Sequence, residues 1–360
     1  MSVSWARDVY KRQKFTKAMQ TLLAEEEPVA LHGYCPSQGD PGFRTAVAAH
    51  LAKTFGLPYE QKDIFPTTGA AGAIAHAIRA VTKPGDEVLT FAPYFPEYGP
   101  YVEGTGAVLK VVPPQAPAFQ PNLDAFEEML TENVTCVLIN TPNNPTGSVM
   151  TRETMAKIAE LAVKHDLLVI SDDVYNTLLY AGEEAHCIAS FPGMRERTVI
   201  VNSFSKSYAM TGWRIGFVAA PAEIVDRMTK CQENFNACAN AIGQYAAVAA
   251  LDHPELCTQL RDIFARRRAT LLEGLAAIPG MNSNDPTGAF YVFADIRAFG
   301  MSSEDFCNRL LDEERVVCIP GSAFGACGEG FVRIAYTCSD ADLTEAIARI
   351  RRFCAKYYTA

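Results

Sequence analysis

The run SFSKSYAMTGWRIG, Ser203 to Gly216, lies between two short apolar segments, Thr198 to Val201 and Ile215 to Ala219. That arrangement puts Lys206 in a polar turn between two buried strands. Burial penalises the ammonium form there, lowers the amine's pKa and makes it a nucleophile. Arg214, eight positions later, adds a permanent cation that pushes the lysine further toward neutrality and binds an anion itself. With the hydroxyls of Ser203 and Ser205, the set suits a phosphorylated aldehyde. Taken alone, SxSK also describes a surface lysine in a serine-rich loop, and it is GWRIG at this distance that favours the buried reading. A second candidate is Arg333, inside the otherwise apolar GFVRIAY. A mid-strand arginine requires an anion, and its planar fork fits a carboxylate, either on a ligand or on a nearby acid. A third is Asp172, which closes the apolar run Leu167 to Ser171 and must be paired or hydrated.

These groups need rigid elements behind them, and from Ile64 the pattern alternates strand, turn and helix. Ile64 to Thr67 reads as a strand, Thr68 to Gly72 as a small-residue turn, and Ile74 to Val81 as a helix. Small residues at a helix N-terminus let backbone N–H groups approach an anion. Glu87 to Phe91 is the next strand and ends in Tyr94 and Phe95 between prolines, where an aromatic face can meet a heteroaromatic ring or pack in the core. Val134 to Asn140 is a continuous apolar strand of the kind found in a parallel sheet covered on both sides, followed by the loop NNPTG. A helix over Glu153 to Lys164 precedes the strand that ends at Asp172. Beyond Gly216 the spacing predicts helices from Ala222, from Ala237 to Leu251, and a long bridging one from Pro254. The cluster Arg266, Arg267, Arg268 on that helix reads as a solvated face. Ala289 to Phe293, Val316 to Pro320 and Phe331 to Tyr336 read as strands of a smaller α+β lobe, closed by a helix over Asp340 to Tyr357. Phe15 to Glu26 has helical spacing and is expected to pack on that C-terminal lobe.

The lysine run, NNPTG, the aspartate-ended strand and GFVRIAY together resemble the class I and II aminotransferases, the fold-type-I enzymes dependent on pyridoxal 5'-phosphate. The resemblance extends from about Phe15 to the end of the chain. It implies a large domain with a mixed, mostly parallel seven-stranded sheet sandwiched by helices, plus a smaller α+β domain. It implies that Lys206 forms an internal aldimine with the cofactor and is then the base that moves the substrate proton. Asp172 would keep the pyridinium protonated, making the ring an electron sink. Asn144 and Tyr175 would hold the phenolate oxygen, and Phe95 would stack on the ring. Gly69, Ala70 and Ala71, with Ser203, Ser205 and Arg214, would bind the phosphate. Tyr34 would reach the phosphate of a neighbouring subunit, which implies a homodimer. Arg333, with Asn144, would hold the substrate carboxylate. Asp173 stands where the family more often has glutamate and reads as structural.

Composition bounds the remainder. The chain has 360 residues, 49% hydrophobic and 20% charged, enough for a large core in two lobes. A net charge of -9 without a long basic run argues against nucleic acid and anionic membrane as partners. The eleven cysteines form no CxxC pair and no zinc spacing. Cys136, Cys187, Cys318 and Cys354 lie in apolar surroundings, as expected of reduced core residues in a cytoplasmic protein. The expected divisions are a non-native leader over 1–13, an N-terminal segment over 14–39 packing on the small domain, a cofactor domain over 40–265 and a small domain over 266–360. The substrate loop Gly-x-Pro that the family carries upstream of a segment like Phe15 to Leu31 finds no match. A chain that binds cofactor without turnover is therefore one alternative to transamination between an α-amino acid and a 2-oxo acid, and a β-lyase on the same site is another, since the fold does not determine which bond breaks. The amino donor is open, with aspartate as the expectation from resemblance.

Overall fold

The structure is a computed structural model and describes residues 13–115, 118–180 and 182–358. The expected leader, apart from Gln13, lies outside the described residues. Seven strands build the main sheet: β1 (Ile64–Thr67), β2 (Glu87–Phe91), β3 (Val108–Val112), β4 (Val134–Asn140), β5 (Leu168–Asp172), β6 (Thr198–Ser203) and β7 (Gly216–Ala219). Their order across the sheet is β1-β7-β6-β5-β4-β2-β3. Strand β7 runs antiparallel to both its neighbours, and every other pairing is parallel. The mixed, mostly parallel sheet expected from the resemblance is therefore present. Its central strands are apolar along their length because helices cover both faces, leaving no solvated side to favour alternation.

The helices that matter for the site are α1 (Gln13–Glu25), α2 (Pro41–Phe55), α3 (Gly69–Val81), α4 (Tyr98–Glu103), α5 (Phe204–Ser207), α6 (Ala222–Asn236), α7 (Ala241–Leu251), α8 (Glu255–Ala276) and α9 (Asp340–Tyr357). Helix α2 starts where Asp40 accepts a hydrogen bond from the Phe43 N–H, with Pro41 in its first turn, and it ends at Gly56 in the left-handed region. Helix α3 begins at Gly69 rather than at Ile74, because Ala70 and Ala71 are strong helix formers and extend the helix back to the strand. A second, four-stranded sheet pairs β8 (Asn282–Ser283), β9 (Tyr291–Asp295), β10 (Ile319–Pro320) and β11 (Phe331–Ala335) in the order β8-β9-β11-β10. It packs with α8 and α9 around its own core, which includes Phe264, Leu271, Val292 and Ile350.

Three local expectations are corrected. Helix α1 packs on α7, not on the C-terminal lobe: Met19 is buried in a cluster with Phe43, Val47, Ala246 and Ala247, where alanines allow close approach. The cluster Arg266 to Arg268 is more than a solvated face. Arg267 is 4% exposed and donates to Asp340 Oδ1 at 2.6 Å, Arg266 donates to Asp340 Oδ2, and Arg268 pairs with Asp285. Helix α8 lies against α9, so its cations meet the acid in the first turn of α9, a favourable end for negative charge. The strand expected over Ala289 to Phe293 is shifted to β9, with Ala289 at φ 57° turning the chain into it.

Candidate active site

The carboxyl ends of the parallel strands deliver Asn140, Asp172 and Ser203 to one edge of the sheet, the position where ligands bind in open α/β folds. Above them lies a cavity of about 310 Å³. Of the residues expected in the site, Ala70, Ala71, Phe95, Asn144, Asp172, Tyr175, Ser203, Ser205, Lys206, Arg214 and Arg333 all line it. Gly69 opens α3 beside Arg214, while Tyr34 is 90% exposed and is not among the cavity walls.

Lys206 is carried by α5, a single turn after β6, which the Ser203 hydroxyl caps by accepting from the Ser205 N–H at 3.1 Å. Burial lowers the Lys206 pKa, Arg214 and Arg333 lower it further, and Asp172 opposes them. Asp172 is held from three sides. Its Oδ2 accepts from the Tyr98 hydroxyl at 2.7 Å, its carbonyl accepts from Asn140 Nδ2 at 2.9 Å, and β5 fixes its backbone. Its Oδ1 is buried and has no hydrogen-bond partner. Burial pushes the carboxyl up to about 6, against the Tyr98 and Val174 hydrogen bonds and the Lys206 charge.

The opposite wall is built from the small lobe. Arg333 Nη1 donates to Asn144 Oδ1 at 2.8 Å, which turns the Asn144 amide so that its NH₂ is left for another partner. The guanidinium lies 4.6 Å from the Tyr291 ring centre and 4.9 Å from that of Phe324, so its plane is fixed. Arg333 Nε is buried without a partner. Tyr291 in turn shares a 3.0 Å hydrogen bond with the Tyr175 hydroxyl.

Around the start of α3, two glycines set the spacing. A side chain at Gly69 (φ +70°) would lie 2.6 Å from Arg214 Nη2, and one at Gly216 would lie 2.9 Å from the Gly69 carbonyl carbon. The backbone of α3, β7 and the Arg214 guanidinium therefore come together only because both positions lack a Cβ. Arg214 itself sits at φ 51°, uncommon for a residue other than glycine, with Nη1 bonded to the Thr211 carbonyl at 3.2 Å. The Ser203 hydroxyl donates to the Ile215 carbonyl at 3.1 Å, and its hydrogen can swing toward a bound anion. Pyridoxal phosphate fits this donor set: an unpartnered buried carboxylate oxygen for a ring N–H, and a glycine-opened helix start beside a guanidinium for a phosphate.

Sequence reasoning passed over Tyr98, Asn140 and Tyr291. Asn140 carried the same signal as Asp172, a polar residue closing an apolar strand. Tyr98 was visible only as the last aromatic of APYFPEY, and Tyr291 as one residue of an alternating strand.

Asp173, beside the site, is 3% exposed and accepts from the Ser171 hydroxyl at 2.6 Å. Burial pushes its carboxyl up to about 8 and the Asp172 charge adds to this, while the Ser171 and Cys187 hydrogen bonds oppose. The unfolded chain ionises this group near its ordinary value of about 3.9, so the fold loses stability as pH rises from there to about 8 and no more above it. Asp173→Asn removes that titration. Its melting temperature is expected to gain on the unsubstituted protein as pH goes from 5 to about 8. A difference independent of pH would show that Asp173 is ionised in the fold.

A buried lysine with a lowered pKa, sharing a cavity with an acid that keeps one oxygen unpartnered, is an arrangement suited to enzymes that work through a lysine-bound carbonyl cofactor. The chain belongs to the class I and II aminotransferases, whose family model, "Aminotransferase class I and II", matches residues 2–350. It is 39% identical over 329 residues to an aspartate aminotransferase of Pyrococcus abyssi, covering 90% of this chain and 84% of that one. It is 38% identical over 324 residues to aromatic-amino-acid aminotransferase 2 of Thermococcus litoralis, covering 89% and 83%. The crystal structure of an aromatic aminotransferase from Pyrococcus horikoshii superposes with a TM-score of 0.92 at 38% identity, covering 96% of this chain and 92% of that one. The protein is a transaminase that uses pyridoxal 5'-phosphate and acts on amino acid and 2-oxo acid substrates. Among the described residues, no helix is long and apolar enough to cross a membrane.

Proposed function

We propose that this cavity is the transamination site, with Lys206 as its reactive amine, and that aspartate is the amino donor, as in the Pyrococcus abyssi relative. The observation that carries the site is that Lys206 and Arg214 from one run, Asp172 from another and Arg333 from a third, distant one line one cavity. When bound, the cofactor supplies a carbonyl carbon and a ring that takes up the electron pair left when the substrate Cα–H bond breaks. Asp172 Oδ1 would accept from the ring nitrogen, Asn144 Nδ2 and the Tyr175 hydroxyl would donate to the ring oxygen, and Phe95 would offer the ring a face. The N–H groups of Gly69, Ala70 and Ala71, the hydroxyls of Ser203 and Ser205, and Arg214 would hold the phosphate. Arg333 binds the substrate carboxylate; no acid of the described residues forms an ion pair with it, and its Nε is unpartnered. That grip turns the Cα–H toward Lys206 Nζ, which accepts the proton.

A second reading, an aromatic donor, is favoured by the cations of the cavity. Among the described residues they are Lys206, Arg214 and Arg333, which leaves none for a side-chain carboxylate. A donor panel with 2-oxoglutarate as acceptor separates the two. The reading given first requires kcat/KM for aspartate to exceed that for phenylalanine and tyrosine, and the reverse order selects the second. Loss of sustained turnover without the acceptor is expected in either case, and turnover without it would mark a lyase. Tyr34, 90% exposed, is proposed to complete the phosphate site of a second copy in a homodimer, which a monomer by sedimentation would rule out. The eleven free thiols fit a cytoplasmic setting. A division near residue 265, within α8, is proposed between a cofactor domain and a small domain, whose core also takes in Val174, Tyr175, Leu178 and Tyr180.

A further inference from the structure

We propose that Tyr98 is a positioning residue for the cofactor's ring nitrogen, acting through Asp172: its hydroxyl fixes one carboxylate oxygen and so holds the other, unpartnered one ready for the ring. This rests on the reading of Asp172 given above. Tyr98 opens α4, which follows β2, and it is fully buried with its ring edge-on to Phe95 at 5.6 Å. Its hydroxyl reaches past the end of β4 to Asp172 Oδ2 at 2.7 Å, a length typical of a phenol donating to a carboxylate. Burial, then the Asp172 charge, push the phenol well above its ordinary value of 10.0, so Tyr98 keeps its proton and is always the donor.

The carboxylate needs that donor. Asp172 is 5% exposed, and the groups around it are Lys206 from α5, Tyr98 and Tyr101 from α4, Tyr175, Tyr291 from β9, the Val174 N–H and the neighbouring Asp173. Even with the phenol in place, burial pushes its carboxyl up to about 6. Without the Tyr98 hydroxyl, the buried carboxyl would lose its side-chain donor and keep only the Val174 N–H, and the neutral acid would be favoured near pH 7. A neutral acid binds a ring N–H less well than a carboxylate does. The side chain would also lose the contact that sets its rotation.

The test compares the apoenzyme's affinity for pyridoxal phosphate with that for the analogue carrying CH in place of the ring nitrogen, both read by absorbance titration. Tyr98→Phe is expected to weaken pyridoxal phosphate about tenfold at pH 7.5, the scale of one hydrogen bond to a charged group. The analogue should change by no more than about twofold. The pH below which pyridoxal phosphate affinity falls should move up from about 6. Equal loss on both ligands, or loss on neither, overturns the proposal, because a role in packing alone cannot tell them apart. Asp172→Asn tests the underlying reading separately: if it leaves the preference for the ring nitrogen intact, the assignment of Asp172 fails. With Asn at 172, adding Tyr98→Phe should cost no further selectivity. This pair also decides the matter if the single Tyr98 variant does not fold, since a further selective loss would mean that Tyr98 does not act through Asp172.

Discussion

With Lys206 replaced by alanine, the purified protein is expected to lose the absorption band of lysine-bound cofactor, and its turnover is expected to fall at least about 10⁴-fold. The size follows from two roles carried by one nitrogen. As a nucleophile it must be neutral, and burial with Arg214 and Arg333 nearby moves it that way while Asp172 limits the shift. As a base it must sit beside the substrate Cα, which its place on a one-turn helix at the end of β6 allows. Lys206→Arg separates charge from chemistry. Arginine keeps the cation yet stays protonated, so it should be as inactive as alanine. Cofactor should still bind without the covalent link in the alanine variant, because the phosphate set and Asp172 remain. A variant at 206 that kept both the band and turnover would falsify the assignment.

Much of the fold could be read locally. The apolar run Val134–Asn140 is buried at six of its seven positions and reads as a central parallel strand on composition alone. The polar residues that end such runs, Asp172 among them, were conspicuous because a buried strand has no local reason to close on a charge. NNPTG and GWRIG were legible as motifs, and Gly216 now has a steric reason, its approach to the start of α3. What could not be read was the partner of each group. Tyr98 meets Asp172 across 74 positions and Tyr175 meets Tyr291 across 116, and neither separation leaves a periodic trace. The misplacement of α1 has the same origin: helical spacing tells which face is apolar, not which lobe receives it. Arg267 likewise reads as a surface charge until α9 is laid against it.

Arg333→Lys is expected to reduce kcat/KM for the amino donor by about 10²- to 10³-fold, mostly through KM, while leaving the band of lysine-bound cofactor in place. The two substitutions, at 206 and 333, thus act on different observables in one cavity. Lysine keeps the positive charge but loses the fork, so one of the two parallel bonds to a carboxylate disappears. It also loses the flat face that Tyr291 and Phe324 hold, at 4.6 and 4.9 Å from their ring centres, and with it the fixed direction of the remaining donor. Asn144 would then lack the guanidinium hydrogen bond that turns its amide toward the ring oxygen, which predicts a smaller fall in kcat as well. An amine substrate without the carboxylate gives the decisive comparison. Its low rate should fall only by the smaller factor that comes through Asn144, because the carboxylate contact being removed was never made. If the substitution slowed both substrates alike, Arg333 would be holding the lobe together through Asn144 and Tyr291 rather than gripping the donor.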